Sequence, residues 1–212
     1  MPDATTFALF VAAALVMLVV PGPSVLYIVA RSIEGGRTAG LVSVLGVQTG
    51  ALVHIAFAAV GLSAILASSA VAFSVVKWLG AAYLIWLGLR RILGRDEGDG
   101  EVTVEPAPLA RVFWQGVVVN TLNPKTALFF LAFLPQFVDP SRGAAWTQIL
   151  LLGAAFVILA LCSDGLYALL SGTAGGWLRL RMKGASFRQT QRFVSGGILI
   201  ALGAVAAVAG KD

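Results

Sequence analysis

The chain reads as an all-α integral membrane protein: six transmembrane helices in two inverted three-helix repeats, with helices 1 and 4 interrupted by proline. Three observations predict this fold. First, 58% of the 212 residues are hydrophobic and only 12% are charged, with a mean hydropathy of +0.91. Soluble domains carry about 25% charged residues. Second, a bilayer core of roughly 30 Å takes about 20 residues as helix, and apolar runs of that size use up most of the chain. No room is left for a separate soluble catalytic domain. Third, prolines fall at corresponding places in the first and fourth runs.

The runs between charged interruptions are Thr5–Ala30, Ala39–Leu66, Ala70–Leu93, Val112–Val138, Ala145–Leu170 and Phe193–Gly210. Between the first two, Arg31–Thr38 is expected to be a short polar turn. Residues 94–110 are acidic and contain Gly and Pro, as a cytoplasmic connector would. They divide the chain into a first three-helix repeat, 1–93, and a second, 111–212. Gly46 and Gly50, four apart in the second run, suit close helix contact, either within the chain or in a homodimer. The basic stretch Trp177–Arg192 is open between an amphipathic interfacial piece and a simple loop.

Charge sets orientation. With six spans, the first, third and fifth loops together hold eleven Lys and Arg, against three on the other side; the remaining one, Lys125, lies within a span. The basic side is cytoplasmic by this bias, so both termini are expected outside. The formal net charge of +5 is therefore a matter of topology and gives no reason to invoke nucleic acid. The first run has no Lys or Arg before it, unlike a cleaved signal peptide. The single cysteine, Cys162, excludes an intrachain disulfide.

The candidate site comes from the prolines. Val20-Pro21-Gly22-Pro23-Ser24 interrupts the first helix and Asn123-Pro124-Lys125 the fourth. A proline lacks an N–H and disturbs the preceding turn, which frees the carbonyls of Met17, Val19 and Asn120. Gly22 and Asn123 become stopping points, and Pro23 and Pro124 start new half-helices, with Asn123 as N-cap. Unwound backbone at membrane depth survives only beside protein or a hydrated cavity. An odd number of spans per half turns the second half upside down, so the two breaks point to one polar pocket. Half-helix N-termini favour a carboxylate, and freed carbonyls favour an ammonium group. The expected substrate-binding residues are Pro21, Gly22, Pro23, Ser24, Asn120, Asn123, Pro124 and Lys125. Two proline kinks in packed helices would be the plainer explanation.

A Lys or Asp at a helix centre costs about 2.5–3.5 kcal/mol on insertion scales, so Lys125 and Asp164 need a reason. Lys125 either meets a substrate carboxylate or pairs with Asp164. Asp164 is the expected proton carrier, with the lone histidine, His54, a second candidate for proton coupling. His54 shares a helix face with Gly46 and Gly50, and Gln48 and Thr49 lie nearby. Aromatic residues Trp78, Tyr83, Trp86, Phe129, Phe130, Phe133 and Tyr167 could wall a pocket or simply pack. No metal-ligand spacing, phosphate loop or nucleophile triad occurs, so neither an enzyme, a metal site nor a cofactor is expected.

These residues, in order, resemble the LysE/RhtB family of amino-acid exporters. The likeness rests on Pro21-Gly22-Pro23-Ser24, on Glu34–Gly40 leading into Gly46, Gly50 and His54, on Gly80–Leu84, and on Asn120–Lys125 continuing through Phe129–Phe137. It implies a secondary transporter in the cell inner membrane that exports amino acids or related zwitterions by proton antiport. An uncoupled facilitator or pore, a metal-cation exporter and a non-transporting helical assembly module are the rival readings. The substrate's side chain is not specified by backbone groups.

Overall fold

The computed structural model describes residues 2–68, with side chains through residue 61, and residues 107–173, plus isolated positions within 75–93 and 193–204. The expected third and sixth spans, most of the connector, Tyr83 and the basic stretch 177–192 lie outside the described residues. All regular structure among the described residues is helical. Helix α1 spans Ala4–Val19, α2 Pro23–Ser68, α3 Leu109–Thr121, α4 Pro124–Leu128 and α5 Ala145–Thr173. Beyond α4 the chain continues through a π-helical turn, Phe129–Phe133, and a 3₁₀ turn, Leu134–Phe137.

Local chemistry sets the helix ends. Asp3 caps α1, its Oδ1 accepting from the Thr6 amide at 2.7 Å. The carboxyl of Asp3 is held below its ordinary range, first by the Thr6 backbone hydrogen bond and also by Arg142, whose Nη1 lies 3.1 Å away. Helix α1 stops before Pro21 and α2 starts at Pro23. The second interruption, between Thr121 and Pro124, bends its segment by 48°. Asn123 caps α4 by accepting from the Lys125 amide at 3.0 Å, and Pro124 occupies the first turn.

The expected polar turn at Arg31–Thr38 is corrected to a single residue. Only Gly36 leaves helical geometry, with φ +70°, a conformation glycine adopts without steric cost. The two arms of α2 fold back on each other there: a Cβ on Gly40 would collide with Ser32 Oγ, eight residues earlier, whereas a straight helix would hold them about 12 Å apart. Arg31 is accordingly not a loop residue. It is only 6% exposed, and its Nη2 donates to Gln115 Oε1 on α3. Because the helix continues past Ala30 to the Gly36 turn, the first break is flanked by helix on both sides. A 16-residue helix precedes it, and a 13-residue helix precedes the second.

Helix α2 packs chiefly on α5 and α3. Its contact with α3 needs the absence of side chains. A Cβ on Gly46 would strike the Phe113 carbonyl oxygen, one on Gly50 would lie 2.7 Å from the Val117 oxygen, and one on Gly116 would lie 2.9 Å from the Ser43 oxygen. The Gly46/Gly50 pair therefore serves an intrachain contact. A buried aromatic core of Phe10, Phe129, Phe130, Phe133, Phe137 and Phe156 joins α1, the segment after α4, and α5. Leu9, Val16, Phe57, Val60, Trp114 and Ile158 face outward, as lipid contact requires.

Two contacts fix which ends lie together. Arg142, between the 3₁₀ turn Leu134–Phe137 and α5, pairs with Asp3 ahead of α1. At the other end, a Cβ on Gly172 would lie 2.9 Å from the Arg37 amide nitrogen beside the first turn. Replacing Gly46 with Ala should lower apparent thermal stability in detergent by about 1–3 kcal/mol through overpacking against α3. Gly165→Ala on α5, where a Cβ meets no described atom within 4 Å, should be neutral or stabilising in the same melting assay.

Candidate functional site

The two interruptions meet inside the helix bundle. Lys125, in the first turn of α4, reaches back to the end of α1, where its Nζ donates to Met17 O at 2.7 Å and to Val20 O at 2.6 Å. Asn123 Nδ2 donates to Ser24 Oγ at 2.8 Å, and Ser24 Oγ donates to Asn120 Oδ1 at 2.9 Å. Thr126 Oγ1 donates to the same Asn120 oxygen at 2.9 Å, while Asn120 Nδ2 donates to Val47 O at 2.7 Å. Asn120 thus ties α2, α3 and α4 together. Ser24, Asn120, Asn123 and Thr126 are all buried.

The carbonyls freed by proline have found side-chain partners. Met17 O holds Lys125, and Val19 O accepts from Tyr167 Oη at 2.8 Å. Asn120 O lies 3.0 Å from His54 Nε2, which donates to it in the tautomer protonated on that nitrogen. The His54 ring stacks on Phe130 and is not among the cavity-lining groups. Its geometry is that of a backbone cap. Pro21, Pro23 and Pro124 shape the backbone and present no side-chain donor. Gly22 brings that backbone against Lys125: a Cβ there would lie 3.1 Å from Lys125 Cδ.

Between the breaks lies a cavity of about 40 Å³, bordered by Gly22, Ser24, Gln48, Asn123, Lys125 and Asp164. At roughly 10–15 Å³ per water this holds about three. Even the smallest amino acid, with five heavy atoms, does not fit without movement of the walls. Asp164 is 3% exposed, and its Oδ2 accepts from Gln48 Nε2 at 2.8 Å. Asp164 and Lys125 border the same cavity, where the ammonium of Lys125 donates to the Met17 and Val20 carbonyls and the carboxylate of Asp164 accepts from Gln48. Among the described residues no group of three His, Cys, Asp or Glu could hold a metal.

Sequence reasoning singled out Ser24, Asn120, Asn123, Lys125 and Asp164, which the fold gathers within or beside this cavity. It did not assign Thr126 or Tyr167 their bonds, and it left Gln48 only as a neighbour. A signal for Gln48 existed: it is the one amide in the run Ala39–Leu66. Trp78 and Trp86 are about half exposed, as packing or belt residues would be.

The fold and site define a helical membrane protein with broken segments around a cavity lined by both polar and apolar groups. The chain belongs to the LysE type translocator family, whose model matches residues 15–210. It is 32% identical over 159 residues to the homoserine/homoserine lactone efflux protein of Salmonella typhimurium, covering 75% of this chain and 77% of that one. It is 28% identical over 167 residues to the leucine efflux protein of Klebsiella pneumoniae, covering 77% of each. An uncharacterized membrane protein of Vibrio cholerae is 32% identical over 178 residues, 84% of this chain and 86% of its own. No solved structure matches the chain. Both named relatives are efflux proteins.

Asn120→Leu keeps the volume but removes three hydrogen bonds to other elements. At about 0.6 kcal/mol per interhelical bond in a membrane, the loss should be about 2 kcal/mol, read by denaturant unfolding in detergent. Thr49→Ala, whose hydroxyl bonds only its own helix at Leu45 O, should stay within about 0.5 kcal/mol of the parent.

Proposed function

We propose that this protein exports an amino acid or a related small zwitterion across the cell inner membrane by proton antiport, using six spans in two inverted repeats with both termini outside. The single observation that carries the reading is the meeting of the two proline breaks on a cavity bordered by both Lys125 and Asp164. The efflux activities named for the relatives support the substrate class and the outward direction.

The substrate carboxylate docks on the Lys125 ammonium and on the N-terminal turn of α2, where the Ser24 and Val25 amides have no partner one turn earlier in their helix. Lys125 leaves the Met17 and Val20 carbonyls to meet it. The ammonium end faces the acceptors that ring the cavity. Since the cavity in this conformation admits only waters, it represents a contracted state, and binding opens it. Asp164 carries the counter-moving proton. Returning one proton per exported zwitterion moves one net charge, worth roughly 2.3 kcal/mol per 100 mV, or about a fifty-fold concentration ratio.

Proteoliposomes loaded with labelled L-leucine or L-homoserine test this directly. Uphill movement with proton countermovement is the expected result; downhill leak alone overturns antiport, and absence of flux overturns transport of these substrates. Lys125→Met should raise the apparent KM at least tenfold while the protein remains folded in detergent, because the carboxylate loses its charged partner. Asp164→Asn should abolish accumulation against a gradient while leaving downhill movement at high substrate concentration.

A further inference from the structure

The cavity has an unmatched set of acceptors. Gln48 donates one amide hydrogen to Asp164 Oδ2, which leaves Asp164 Oδ1 and Gln48 Oε1 buried with no hydrogen-bond partner. Both residues are at least nine-tenths buried, at 3% and 5% exposure, and both border the cavity. Orphaned buried acceptors are rare, and two of them on hydrogen-bonded neighbours ask for a donor that the described residues do not supply. Lys125 is the nearby cation, and its ammonium is directed to Met17 O and Val20 O.

We infer that Asp164 Oδ1 and Gln48 Oε1 form the seat for the primary ammonium group of the substrate, and that the driving proton competes for this same carboxylate. The inference rests on the exporter reading above and names the amine-recognising residues within it. A primary ammonium carries three donors, enough for both orphaned oxygens and one further acceptor. A hydroxy acid offers one hydroxyl hydrogen and no positive charge, and an N-acylated amino acid offers one amide hydrogen. The seat therefore selects zwitterions with a free amine.

Competition at one carboxylate also gives coupling without a separate proton site. With the zwitterion bound, Asp164 is ionised and balances the ammonium. After release outside, a proton from that side takes the oxygen the ammonium has left, and inside it must leave before the next ammonium binds. Each cycle thus exchanges one zwitterion for one proton. Among the described residues, the groups that bear on this titration are Lys125 from α4 and Tyr167 one turn along α5. From α2 the facing group is the neutral Gln48, with His54 turned to Asn120 O. The facing groups from α1 and α3, Met17, Leu18 and Asn120, do not titrate.

The test uses the full chain in detergent and in proteoliposomes, with L-leucine or L-homoserine, whichever the wild type exports. Substrate affinity should weaken about tenfold per pH unit on the acid side of the Asp164 transition, with close to one proton released per substrate bound at lower pH. The matching 2-hydroxy acid should compete at least tenfold less well than the amino acid. Gln48→Met should weaken amino-acid affinity about tenfold and narrow that discrimination while keeping the one-proton exchange. Asp164→Asn should bind weakly and without pH dependence. If neither amino acid is exported by the wild type, transport of these substrates is overturned, and this inference falls with it. If export is proton-coupled but affinity is independent of pH, or the hydroxy acid competes equally, the exporter reading stands and the shared carboxylate falls.

Discussion

A backbone carbonyl or amide in a bilayer has no water to turn to, and the whole arrangement of this protein follows from that constraint. Each proline break removes helical hydrogen bonds from the middle of a membrane segment. The loss is tolerable because the two breaks meet and repair one another. Lys125 beside the second break holds two carbonyls of the first, and Asn123 at the second break donates to Ser24 just after the first. Further repairs come from Tyr167 on α5 and His54 on α2. The segments are held together at depth by unpaired backbone, a stronger directional requirement than apolar contact, since lipid tails solvate apolar side chains about as well as other helices do.

The same repair leaves a cavity with a division of charge. On one side stands a lysine whose ammonium rests on carbonyl oxygens; on another stands a buried aspartate with an unmatched oxygen. Lys125 closes the first break by donating to the Met17 and Val20 carbonyls. Its stem lies against Gly22, where an added methyl would approach Cδ to 3.1 Å, so the backbone at the first break is fitted to that side chain. On the proposed reading, substrate binding would be an exchange of partners among groups already present. Such exchange allows an interior charge to be moved without ever leaving it bare, which the cost of a solitary charge in hydrocarbon makes necessary.

Around this centre the packing is of two kinds. Close backbone approach at Gly46, Gly50 and Gly116 locks the second arm of α2 to α3, while six phenylalanines fill the space between α1, the segment after α4, and α5. The π-helical turn at Phe129–Phe133 falls within the aromatic region and follows directly on the break, where the helix has already lost its regular register. Rigid contact on one side and adaptable aromatic surface on the other place the cavity between two different kinds of wall.

Composition and proline position alone determined that the chain crosses a membrane, that two segments are broken, and where each new half-helix starts, because those outcomes depend on hydropathy and on the missing N–H of proline. The Asn123 cap was legible for the same local reason. Tertiary structure decided the rest. Which groups Lys125 would meet depended on which acceptors lay within reach, and the Met17 and Val20 carbonyls, more than a hundred residues away in sequence, are among them. The one-residue turn at Gly36 hid behind a run of polar residues because burial of Arg31 requires its partner Gln115 on α3. Gln48 became significant only when the fold set it beside Asp164. Helical periodicity tells which side of a helix a residue occupies, but not which distant oxygen or amide stands opposite it.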